Sequence, residues 1–132
     1  MRGRETQSGS AHRPDIVADF LYAEGCLFFS VRNIGSAPAT SVVVRFRPAI
    51  RGAQGAFSRL RVFQGISFLA PGRELTLFID SAGAYFHSRE PTRVTTRVSW
   101  YDEGGVEFSR TSVHDLEIYR KFPEALHTRA PA

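Results

Sequence analysis

The chain has 132 residues, 42% of them hydrophobic, with eleven Phe, four Tyr and one Trp, which excludes a disordered protein and lets one domain bury a core without metals or disulfides. Its net charge of +4 is carried by 16 Arg and one Lys, a balance that permits an anionic partner without demanding one. The lone Cys26 excludes an intrachain disulfide, and no run of about 18 apolar residues marks a membrane-spanning helix.

Residues 1–13 are polar and small, with Arg2, Arg4 and Arg13 set against Glu5, and read as a flexible basic arm. Charge at the start is not followed by an apolar stretch, so the arm is not a secretory signal. The chain therefore reads as cytoplasmic as it stands, or as a fragment of an exported or membrane-anchored protein.

A first strand is predicted from Pro14 to Ala23, a turn at Glu24–Gly25 and a second strand from Cys26 to Asn33. Alternation puts Leu27, Phe29 and Val31 on one face. Asn33 and Gly35 form the next turn, as residues that tolerate positive φ. The third strand runs from Thr40 to Arg47, with Val42, Val44 and Phe46 inward and Val43, Arg45 and Arg47 outward. Residues 48–58 are a Gly/Ala-rich connection, and "RLRVF", 59–63, alternates as a strand with Leu60 and Val62 inward. "ISFLAPG" ends in a Pro71-Gly72 type II turn. Residues 73–80 form a strand, 81–91 a loop with one helical turn, and 92–101 a strand with Val94, Thr96, Val98 and Trp100 inward. Asp102 to Gly105 make a hairpin loop. Residues 106–119 return as a strand bulged midway, and 122–129 suit a short helix in a C-terminal tail, 122–132. Short strands at this spacing predict an all-β, immunoglobulin-like antiparallel sandwich of about seven strands over residues 14–121.

"VRNIGSAPATSVVVRF", "FLAPGRELTLFI" and "TRVSWYDEGGVEF" together resemble the order of motifs in bacterial and archaeal immunoglobulin-like domains of the CARDB (cell-adhesion-related) type. The resemblance implies structural work for Asn33, Gly35, Pro71, Gly72, Asp102 and Gly105. It implies no catalytic residues, and a role as an accessory or interaction module.

The residues agree. His114 and Asp115 are adjacent, so on a strand they face apart and cannot orient each other as a catalytic pair. Cys26 reads as a buried thiol. His12, His87, His114 and His127 lack zinc spacing, and no phosphate-binding glycine loop occurs. No catalytic residue, metal or cofactor is expected. Two functions remain open. The leading one is a non-enzymatic structural or protein-interaction module, self-associating or binding a protein through Phe57, Tyr85 and Phe86. The alternative binds an anionic ligand or nucleic acid on a sheet face carrying Arg45, Arg47, Arg93 and Arg97.

Overall fold

The computed structural model describes residues 12–121. These form seven antiparallel strands: β1 (Ile16–Ala23), β2 (Cys26–Asn33), β3 (Ala39–Arg47), β4 (Ile66–Leu69), β5 (Glu74–Ser81), β6 (Arg93–Tyr101) and β7 (Glu107–Asp115). Two sheets result, ordered β1-β2-β5 and β4-β3-β6-β7, and together they make the expected immunoglobulin-like sandwich. The period-2 pattern explains why. Ile16, Ala18, Phe20 and Tyr22 on β1, Leu27, Phe29 and Val31 on β2, and Val94, Val98 and Trp100 on β6 are all buried. Each sheet must hide this face against the other. Trp100 is buried and stacks on Phe108.

The β1–β2 hairpin closes through Glu24 and Gly25, both at positive φ (52° and 79°), the backbone that a tight two-residue loop needs. Gly72 has φ 79° and Arg73 N–H donates to Ala70 O, as expected for a type II turn at Pro71-Gly72. Asp102 Oδ1 accepts from the N–H groups of Gly104 and Val106, and Gly105 takes φ 88°.

The Asn33–Gly35 turn works differently from the expectation, because neither residue has positive φ. Asn33 is fully buried. Its Oδ1 accepts from Asp15 N–H (3.1 Å) and Gly35 N–H (2.9 Å), and its Nδ2 donates to Ala37 O (2.9 Å) and Leu69 O (3.0 Å). One side chain thus ties the entry to β1, the β2–β3 turn and the end of β4. Gly35 is required by proximity: a Cβ there would stand 2.3 Å from Arg13 O.

Three further expectations are corrected. Residues 59–63 are not a strand but belong to two 3₁₀ turns, Phe57–Arg59 and Arg61–Gln64. Burial of Phe57 and Phe63 against Phe29 and Phe46 overrides the local alternation. The last strand is not bulged; it pairs with β6 in unbroken register and stops at Asp115, where α2 (Glu117–Lys121) follows. Cys26 is half-buried at the hairpin end of β2. The helical turn in 81–91 is α1 (Ala82–His87), capped by Ser81, whose Oγ accepts from Ala84 N–H. The expected helix at 122–129 lies outside the described residues. Among those described, no helix is long and apolar enough to cross a membrane.

Candidate anion-binding groove

Pleating puts Arg45 and Arg47 on the outer face of β3 and Arg93 and Arg97 on the outer face of β6, where all four are exposed. Register then decides which meet. Arg45 lies directly opposite Arg97, Arg47 opposite Thr95, and Arg93 opposite Asp115 of β7. Arg93 therefore has a carboxylate across from it at the sheet's end. Arg45 and Arg97 are like charges in direct cross-strand register, an arrangement that costs stability in the free domain.

β4 pairs with β3 only at Ala39, Thr40 and Val42. Beyond Val42 that edge of β3 has no described strand beside it, and the two 3₁₀ turns stand there instead. Phe57 and Phe63, locked into the core with Phe29 and Phe46, hold the turns in place. Between them and the sheet opens a groove of about 850 Å³, lined by Arg45, Arg47, Arg59 and Arg97 together with Ser58, Gln64, Thr95 and Thr111. Arg97 Nη1 donates to Thr111 Oγ1 at 3.4 Å. None of the four arginines forms an ion pair among the described residues, and no acidic side chain lines the groove. Four guanidinium groups, each with a planar fork of donors, and four hydroxyl- or amide-bearing neighbours suit phosphate, sulfate or carboxylate.

Arg59 was missed by sequence reasoning, because it sat in a segment taken as a strand. No local signal marked it: Phe57 and Phe63, six residues apart, share one face of a strand by spacing alone, and only their contacts with Phe29 and Phe46 show them anchoring two tight turns. The proposed protein contacts fare differently. Phe57 and Tyr85 are core residues, 4% and 0% exposed, so neither presents a surface anchor. Tyr85 O–H donates to Pro91 O (2.6 Å), and burial, then the nearby Glu90 charge, raises its pKa. Phe86 is half-buried, its ring covered by the Arg120 guanidinium at 4.6 Å. All three rings pack inward, Phe57 on Phe29, Phe46 and Phe63, and Tyr85 on Phe86, because a loop aromatic buries more apolar surface there than it does in water.

His114 sits between sheets. Its Nε2 meets Thr96 Oγ1 at 2.9 Å, and its Nδ1 lies 3.4 Å from Asp19 Oδ1. The order Thr-His-Asp is that of a nucleophile, base and orienting acid. Thr96, however, is 1% exposed, so its hydroxyl is sealed from any substrate, and the trio ties β1 to β6 and β7. No group of three metal-ligating side chains occurs among the described residues.

A family model described as "Domain of unknown function (DUF8453)" matches residues 2–120. The chain belongs to this family. No curated protein and no solved structure matches it. In this DUF8453 domain the groove is formed by β3, β6, β7 and the 57–64 segment, all within the matched span.

Proposed function

We propose that this DUF8453 domain is a non-enzymatic binding module that takes an anionic partner in the groove of Arg45, Arg47, Arg59 and Arg97. The observation that carries the reading is the Arg45–Arg97 pair. Two facing guanidinium groups, with no acid lining the groove around them, repel until an anion sits between them. The resemblance to CARDB-type interaction modules supports binding rather than catalysis.

The test is binding of fluorescent heparin and of inorganic polyphosphate at increasing salt. Four neutralised charges give a logarithmic slope of affinity against salt of roughly −3. Arg45→Ala and Arg59→Ala each flatten that slope by about one charge, while Arg73→Ala, at an exposed arginine outside the groove, leaves it unchanged. Binding that ignores salt, or that falls equally with Arg73→Ala, would sink the proposal.

A second reading, self-association, is favoured by a row across the outer face of the other sheet: Leu21 opposite Phe28, and Phe28 opposite Phe78, which is 45% exposed. Light-scattering mass that rises with concentration, and reverts to monomer with Phe78→Ser, would support it.

A further inference from the structure

We infer that the anion is the backbone of a single-stranded nucleic acid whose bases stack on Phe68 and Tyr101; this rests on the groove reading above. The sheet that carries the arginines also carries an aromatic row. Thr40 pairs with Phe68 on one side and with Tyr101 on the other. Ala39, Leu69 and Trp100 are buried, so their chain neighbours Thr40, Phe68 and Tyr101 point outward. A bulge between Thr40 and Val43, where Ser41 takes φ 51°, brings Thr40 onto the same outer face as Val43 and Arg45. Phe68 and Tyr101 are 54% and 37% exposed. Two exposed rings flanking Thr40 beside a basic groove fit a partner that joins flat apolar faces to a charged backbone.

Strand spacing puts the two aromatic residues roughly 10 Å apart across the sheet, and four residues of β6 put Tyr101 roughly 13 Å from Arg97. A strand of a few nucleotides crosses that distance, with phosphates in the groove and bases over the rings. A paired duplex offers no free base face, and among the described residues no helix is long enough to enter a major groove. Glu107 lies opposite Tyr101, so the aromatic end receives a neutral base better than it receives a further acidic side chain. Ser99 and Ser109, paired between the aromatic and arginine rows, add hydroxyl groups along the path.

Fluorescence anisotropy at low salt tests this with a labelled thymidine oligomer of about 12 nucleotides, an abasic oligomer of equal length, and poly-glutamate as competitor. The thymidine oligomer binds about ten-fold tighter than the abasic one. Tyr101→Ala and Phe68→Ala each weaken it about ten-fold and leave the abasic oligomer unchanged, Tyr101→Phe restores wild-type affinity, and Arg45→Ala weakens both oligomers. Thermal melts that match the wild type show that the surface variants fold. Equal affinity for the two oligomers, or indifference to Tyr101→Ala, overturns base stacking while the groove reading stands. Poly-glutamate binding more tightly than either oligomer makes the partner an acidic protein and overturns the inference. No polyanion binding at all removes both the inference and the groove reading.

Discussion

Asn33 does in one side chain what most turns do with several. It is buried, and all four of its polar positions are used. Asn33→Ala would leave two N–H and two C=O groups without this partner at the junction of three strands, and should cost about 3 kcal/mol, measured as a lowered urea midpoint. Tyr85 carries a pH dependence. Burial and Glu90 raise its phenol pKa above the ordinary value, about 10 in the unfolded chain. The folded state holds this proton more tightly, so the stability it contributes is complete below about pH 10 and is lost as pH rises further. Tyr85→Phe should cost about 1 kcal/mol at neutral pH through the lost bond to Pro91 and should shallow the alkaline limb of a stability profile taken from pH 8 to 11. An unchanged limb would show that Tyr85 does not set it.

Among the elements, β3 has two duties that pull against each other. It is the central strand between β4 and β6, and it also presents Arg45 to Arg97. Arg45→Thr removes the repulsion and adds a β-favouring residue. It should stabilise the free domain by up to about 1 kcal/mol while weakening anion binding; paired melting and heparin-affinity measurements check both signs. The 57–64 segment is the groove's other wall and hangs on two rings. Phe57→Ala should cost about 3 kcal/mol and weaken polyanion binding as well, because Arg59 is no longer held over the groove. A variant that loses stability yet binds normally would place Arg59 outside the site.

At the scale of the whole molecule, the sandwich was legible because its inward residues alternate without interruption: Leu27-Phe29-Val31 and Val94-Thr96-Val98-Trp100 are buried where the pattern puts them. Three arginines of the groove were legible for the same reason, as the outward partners on β3 and β6. What stayed hidden is set by contacts distant in sequence. No local pattern reveals that Phe57 and Phe63 reach Phe29, that Asp115 faces Arg93, or that Tyr85 turns into the core. Asn33 was marked as a turn residue by composition, but its reason is a hydrogen-bond hub, which only the assembled fold displays.

The ties between β1 and β7 have a mechanical meaning. Arg110 Nη1 donates to Ile16 O (2.7 Å), its Nη2 meets Asp15 Oδ1 (2.8 Å), and His114 faces Asp19. The contacts advance in the same direction along both strands, so the first and last strands run parallel side by side. Tension that draws the start of β1 and the end of β7 apart loads these ties in shear, all at once, where an antiparallel edge would peel open one link at a time. Arg110→Ala should lower the rupture force in single-molecule pulling far more than it lowers the melting temperature, since a half-exposed, solvent-screened pair adds little at equilibrium yet stands directly in the line of load.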